Sequence, residues 1–155
     1  MSQKITLDID GKTHQVELND PAKPLLYVLR DEIGMSNPHF GCGLSQCGAC
    51  TVEMDGKAIH SCVTEARKAE GHKITTIAGL GTPEHPSPLQ QAFIEEQATL
   101  CGYCMNGWIM TAAAFLKTNP HPTDEELRKG LSGVKCRCGS QLSIIRAIKR
   151  AMTAA

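Results

Sequence analysis

The sequence predicts an α+β protein in two parts. A small strand-and-helix domain covers residues 1–77, a linker 78–88, and an all-α four-helix domain 89–155. Three observations carry this reading. Period-two alternation of apolar and polar residues occurs only before residue 77, whereas beyond residue 88 every signal is helical. Glycine and proline crowd the stretch between them. The cysteines divide four and four between the two parts.

Lys4-Ile5-Thr6-Leu7-Asp8-Ile9 alternates, Asp10-Gly11 turns, and Val16 and Leu18 continue the period, which makes a β-hairpin. Pro24 opens a helix whose apolar face is Leu25, Leu26, Val28, Leu29 and Ile33, closed by Gly34. A second hairpin joins Thr51–Met54 to Ala58–Val63 through Asp55-Gly56, and Lys73–Ile77 reads as a last strand. Gly79, Gly81, Pro83, Pro86 and Pro88 punctuate a segment without periodicity, the linker. Ser87-Pro88-Leu89-Gln90 and Thr123-Asp124-Glu125-Glu126 have the form of capping boxes, each opening a helix. Between them Trp108, Ile109, Ala112, Phe115 and Leu116 form an apolar stripe ended by Asn119-Pro120. Ser140 is placed to cap the last helix, on which Leu142, Ile145, Ile148 and Met152 share a face.

Phe40 to Cys50 carries the chemistry of the first part. Cys42, Cys47 and Cys50 stand at C-x4-C-x2-C spacing, and Cys62 follows on the second strand of the second hairpin. Four thiolates in this pattern have the plant-type ferredoxin spacing for a [2Fe–2S] cluster. The interleaved glycines let the backbone curl around such a group and turn amide N–H towards sulfur. A two-residue turn at Asp55-Gly56 sets Cys62 across from Ala49 and so returns the fourth thiol to the other three. The competing reading is a four-cysteine zinc site, although zinc sites usually present paired C-x2-C knuckles. A disulfide framework fits less well, because nothing else in the sequence looks secreted.

The second part repeats the theme with other spacings. Cys101-Gly102-Tyr103-Cys104 precedes the Trp108 helix, and Cys136-Arg137-Cys138 precedes the last one. Helix starts turn N–H groups and positive dipole ends towards thiolate. The C-x2-C pair alone suits zinc; beside a ferredoxin-type first site, a second iron–sulfur cluster is the better reading. Two clusters make a short wire for single electrons.

Bulk properties exclude other classes. Sixteen basic and sixteen acidic residues cancel, so no basic field recommends nucleic acid. With 41% apolar and 21% charged residues the composition is that of a globular protein. No apolar run reaches the ~18 residues of a membrane span. The first ten residues lack the apolar core of a signal peptide, which makes the cytoplasm the expected compartment, with folded co-export beside a signal-bearing partner as the alternative. No residue stands out as a catalytic acid, base or nucleophile.

Together, Gly41-Cys42-Gly43…Cys47-Gly48-Ala49-Cys50-Thr51-Val52, Cys101-Gly102-Tyr103-Cys104 and Cys136-Arg137-Cys138-Gly139 resemble the iron–sulfur subunit of the xanthine oxidase family of molybdenum hydroxylases, most closely those of isoquinoline-type and related aldehyde or N-heterocycle dehydrogenases. The resemblance runs from the first strand to the last helix. It implies a β-grasp, plant ferredoxin-like domain followed by a four-helix domain, each with one [2Fe–2S] cluster. Cys42, Cys47, Cys50 and Cys62 would ligate the outer cluster. Cys101, Cys104, Cys136 and Cys138 would ligate the inner one, with Cys138 nearest a molybdopterin held by a large partner subunit. The implied role is electron transfer from that site through both clusters to an acceptor, either a flavin subunit or a cytochrome c, with no flavin favoured. A free-standing two-cluster carrier is the alternative.

Several residues depart from the family pattern. Leu100 stands where a pterin-contacting Gln is usual, so that contact is lost or a neighbour such as Asn106 replaces it. Asn106-Gly107 replaces Pro-Gly or Ser-Gly, and Gln141 stands near a position that is often aromatic. Trp108, Tyr103 and Phe115 read as core residues rather than electron relays. The six histidines show no paired metal spacing, and Arg146, Lys149 and Arg150 read as a solvated helix face. Arg137, between two cysteines, has a charge that would raise the potential of a cluster held there.

Overall fold

A computed structural model describes residues 2–153. Strands β1 (Gln3–Ile9), β2 (Lys12–Leu18), β3 (Thr51–Met54), β4 (Lys57–His60) and β5 (Lys73–Thr75) form one five-stranded sheet in the order β2-β1-β5-β3-β4. The two hairpins turn where the sequence predicts, with Ile9 opposite Lys12 and Met54 opposite Lys57. Both residues of each turn have positive φ, from 50° to 79°, which matches the right-handed twist of the strands they join. The middle of the sheet is mixed: β5 lies parallel to β1 and antiparallel to β3.

Ile5, Leu7 and Ile9 point to one face of β1. They meet Leu25, Val28 and Leu29 from α1 (Leu25–Tyr27) and the π-helical turn Val28–Glu32 that continues it. Each such side chain taken wholly out of water contributes roughly 1.5–3 kcal/mol. The predicted helix here is therefore real, but its second turn is wider than an α-helix. That turn aims Arg30 at the carbonyls of Ser36 and Pro38, 2.8 and 3.0 Å from Nη1, and so shapes the chain as it enters the cysteine loop.

Asp55 fastens the second hairpin to β5. Its Oδ1 accepts from the Lys73 N–H at 2.9 Å and its Oδ2 faces His72 Nδ1 at 2.6 Å. The hydrogen bond from His72, then that from Lys73, holds this carboxyl below its ordinary range. A carboxylate depressed in the fold stabilises it above the unfolded pKa, and that contribution is lost as pH falls through the folded value. Asp55→Ala is accordingly expected to melt lower than the unaltered chain at pH 7. The gap should close on acidification below about pH 4. Melting curves across pH check this.

The helical part contains α2 (Ile77–Leu80), α3 (Pro88–Glu95), α4 (Met105–Thr118), α5 (Asp124–Gly130) and α6 (Gln141–Thr153). Both capping boxes form, Ser87 with Gln90 and Thr123 with Glu126. Three expectations are corrected. Strand β5 ends at Thr75, and the start of the expected linker is the short helix α2, whose Ile77 and Leu80 pack on the helical core. The buried face of α6 is Ile144, Ala147, Ile148 and Ala151; Leu142 is 78% exposed, because the helix packs one position away from the expected stripe. Ser140 caps α6 only through its backbone, the Ile144 N–H reaching its carbonyl at 3.0 Å, while its hydroxyl is buried without a partner.

Arg150 pairs with Glu95 at the end of α3 and with Glu96 just beyond it, Arg146 with Glu96, and Lys149 with Asp124 of α5. The expected solvated face is thus also a row of ties to its neighbours. No described helix is long and apolar enough to cross a membrane.

Candidate metal centres and their relatives

Cys42, Cys47 and Cys50 lie on the loop between the π-helical turn and β3, and Cys62 lies just beyond β4. Extending the β3–β4 register brings Cys62 back to Cys50: the Ser61 N–H and hydroxyl both reach the Cys50 carbonyl, at 3.3 and 2.7 Å. Leu26 packs on both sulfur-bearing side chains, so Cys50 and Cys62 are buried. The N–H groups of Leu25 and Leu26 donate to the carbonyls of Thr64 and Ser61, fastening the turn that carries Cys62.

The loop itself is shaped around sulfur. The N–H groups of Leu44 and Gln46 approach Cys42 Sγ at 3.3 and 3.2 Å, and the Cys42 N–H approaches Cys47 Sγ at 3.3 Å. Those two donors from Leu44 and Gln46 draw the Cys42 thiol down to about 7. Burial, by contrast, pushes Cys50 up to about 12, and Cys104 likewise. A neutral thiol at these two buried positions is what desolvation favours until a cation takes the proton's place.

The second set gathers in the helical part. Cys104 is buried at the head of α4, Cys136 half-buried, and Cys101 and Cys138 exposed. Burial raises Cys136, but the Ser140 N–H and the Cys104 thiol outweigh it and the net effect is a lowered pKa. Ser140's hydroxyl, otherwise unpartnered, lies beside the same sulfur.

Within each set every thiol feels its neighbours: Cys42 lies with Cys47, Cys50 with Cys62, Cys101 with Cys138 and Cys104 with Cys136, while Cys47 also acts on Cys50, and Cys101 on Cys104. Among the described residues no group of three or more ligating side chains is gathered for a single ion. Pairs of thiols suit a dinuclear centre, in which each iron takes two sulfurs of the protein. Soft donors, N–H groups already turned to sulfur and an orphaned hydroxyl at Cys136 all fit such a group.

The two sets adjoin. A cavity of about 170 Å³ is lined by Cys42 and Cys47 from one loop and Cys101 and Cys104 from the other, with Tyr103 and Arg137 at its wall. Gly48, at φ +76°, presses on Val134 of the segment leading to Cys136, and the Lys135 N–H donates to the Cys47 carbonyl at 3.0 Å. Tyr103 is half-exposed instead of core: it stacks on His39, 4.6 Å between ring centroids, and donates its hydroxyl to the Phe40 carbonyl. Trp108 is core as expected, and Phe115 packs partly buried against it.

Asn106 is 1% exposed, and its amide nitrogen is used up on the carbonyls of Ala49 and Thr51. It therefore does not stand in for the missing Gln at position 100, where Leu100 is 70% exposed. Gln141 is exposed and donates to the Cys136 carbonyl. Sequence reasoning missed Glu53, buried on β3, with Oε2 bonded to Lys117 of α4 and Oε1 unpartnered. Only the helix covering that face makes it interior.

A ferredoxin-like sheet and a helical unit, each presenting four paired thiols, define a two-cluster iron–sulfur electron-transfer protein. The comparisons with known proteins agree and are more specific. A family model described as "2Fe-2S iron-sulfur cluster binding domain" matches residues 7–77, and one described as "[2Fe-2S] binding domain" matches residues 76–149. The chain is 50% identical to a nicotinate dehydrogenase subunit of Pseudomonas putida, over 97% of this chain and 96% of the relative. It is 48% identical to the alpha subunit of isoquinoline 1-oxidoreductase from Brevundimonas diminuta, over 83% and 84%. Among solved structures, that of quinoline 2-oxidoreductase from Pseudomonas putida 86 superposes with a TM-score of 0.92 at 35% identity, covering 99% of this chain and 95% of the other. The chain belongs to the iron–sulfur subunits of the xanthine oxidase family of molybdenum hydroxylases. It is the electron-transfer subunit of such an oxidoreductase, with two [2Fe–2S] clusters and the molybdopterin in a large partner subunit.

Proposed function

We propose that Cys42, Cys47, Cys50 and Cys62 ligate the outer [2Fe–2S] cluster and that Cys101, Cys104, Cys136 and Cys138 ligate the inner one. The observation that carries this is the meeting of all eight thiols in four pairs, on two loops that touch. Bound there, the clusters supply one-electron storage between the partner's molybdopterin and an external acceptor. This chain's residues hold them, keep water from Cys50, Cys62 and Cys104, and direct N–H groups at sulfur.

Cys138 is the ligand nearest the pterin. It is exposed in this chain, as is Cys101, and the exposed Leu100 and Leu142 flank them in sequence as an apolar rim for a large subunit to cover. In the chain alone this set is thus the more exposed of the two; the partner makes it the inner one. The division into domains 1–77 and 89–155 is supported by two separate buried cores and by family models that meet near residue 77. The substrate is an N-heteroaromatic compound, supported by relatives named for nicotinate and isoquinoline; an aldehyde is the other class in the family. The onward acceptor is a cytochrome c in preference to a flavin subunit, and the compartment the cytoplasm, unless a signal-bearing partner exports the complex.

Metal analysis of the tagged chain purified from its native host tests the whole reading. About four irons per chain, with molybdenum and a large co-purifying subunit, is the expected result. Iron alone with no partner would favour a free carrier, and zinc in place of iron would sink the redox reading. Arg137, exposed beside both cysteine loops, gives a finer test. Arg137→Leu is expected to lower the midpoint potential of the inner cluster in a redox titration, since removing a nearby positive charge favours the oxidised state.

A further inference from the structure

We propose that Asn106 is a positioning residue for electron exchange between the two cluster sites: its carboxamide clamps the helix that begins at Cys104 onto the backbone on either side of Cys50. This deepens the two-cluster reading and rests on it. Nδ2 donates to the Ala49 carbonyl and to the Thr51 carbonyl, both at 2.9 Å. Those two residues are the immediate neighbours of Cys50, an outer-site ligand; Asn106 itself follows the inner-site ligand Cys104 by two residues. Both amide hydrogens are spent across the junction, and Oδ1 is buried with no partner at all. A buried amide satisfied only on its donor side has no local reason to be there, since leaving a polar atom unpaired costs stability. Its orientation is fixed by chemistry: turned over, its oxygen would face two carbonyl oxygens.

The neighbouring residue shows what the clamp achieves. A Cβ on Gly107 would lie 2.3 Å from the Gly48 carbonyl oxygen, so helix α4 and the outer-site loop touch backbone to backbone. No residue other than glycine permits that approach. On the far side, the hydrogen bond from Lys135 to Cys47 ties the segment entering Cys136 to the same loop. Inner-site ligands Cys104 and Cys136 thus each stand within two residues of a hydrogen bond to the outer-site loop. Electron tunnelling weakens steeply with separation, so this contact sets the rate of the step. In that step one electron leaves the reduced inner cluster, which returns to its oxidised state, and reduces the outer cluster; no proton, bond or third reactant is involved. Asn106 touches no sulfur, so its effect is on spacing alone.

The test uses the assembled enzyme carrying Asn106→Leu or Asn106→Val, neutral side chains of comparable bulk that remove both donors. Iron is measured first. Spin–spin splitting between the clusters is then read by electron paramagnetic resonance with both reduced, and inter-cluster transfer by rapid freezing after reduction. The expected result is full iron, a smaller splitting, and transfer slower by about tenfold or more. Full iron with unaltered splitting and rate in both variants overturns the proposal. Should those variants fail to assemble, Gly107→Ala decides, because it leaves the carboxamide and all eight cysteines in place and only wedges the backbones apart. A reduced splitting there supports the proposal and an unchanged one overturns it. Unaltered enzyme that carries iron for only one cluster would sink the two-cluster reading instead, and the iron content tells the two failures apart.

Discussion

Cys104→Ala chains are expected to retain about two irons where the unaltered chain holds about four, and the assembled enzyme to lose turnover to background. Cys104 is the buried member of the second set and lies with Cys136, so on the proposed assignment its loss leaves one iron of that cluster with a single protein sulfur. Nothing nearby replaces it: Asn106 is committed to Ala49 and Thr51, and the buried Ser140 hydroxyl is a hard donor. Cys50→Ala should remove the same amount of iron from the other site, because Cys50 stands with Cys62 against Leu26. The two variants should therefore each keep one cluster's spectrum, and a different one. Full iron in either variant would show that the altered cysteine is not a ligand. Loss of all iron in both would mean that the two sites fold as one unit.

Lys117→Met is expected to destabilise the apoprotein and the loaded chain alike, by about 3 kcal/mol, equivalent to a fall in melting temperature on the order of 10 °C. The reason lies with Glu53, whose side chain is 1% exposed. One of its oxygens already has no partner and the other depends on Lys117. Removing the lysine strands a buried charge between sheet and helix. The size of the effect comes from that stranding, not from the net worth of the pair. The double change Glu53→Leu with Lys117→Met, which removes the charge as well, should recover most of the loss. If the double variant melts no higher than Lys117→Met alone, the pair contributes by some means other than compensating a buried charge. Thermal unfolding of the three variants side by side makes the comparison.

Much of this protein is legible in its sequence because much of it is decided locally. Asp10-Gly11 and Asp55-Gly56 adopt the left-handed conformations that two-residue hairpins require, whatever surrounds them. Ser87 with Gln90, and Thr123 with Glu126, close their capping boxes within four residues. The grouping of the eight cysteines is legible for a related reason: their spacing is a property of the chain, and the hairpin register alone carries Cys62 back to Cys50.

The sequence by itself determined most of the element types, the hairpin registers and the two sets of four thiols. What it left to the tertiary structure is everything that depends on which faces come together. Nothing in the sequence of strand β3 marks Glu53 as interior beside the buried Val52. It is interior because α4 covers the second face of that strand, as the Asn106 and Lys117 contacts with it show. Tyr103 reads as core, and Asn106 is one alternative for replacing the contact missing at Leu100; the fold exposes the first and buries the second, since the helix start must lie on Gly48 before either side chain has a direction. Periodicity reports how apolar a face is. Which neighbour that face meets is set by packing between elements far apart in the chain, and here that packing fixes how closely the two cluster loops approach each other.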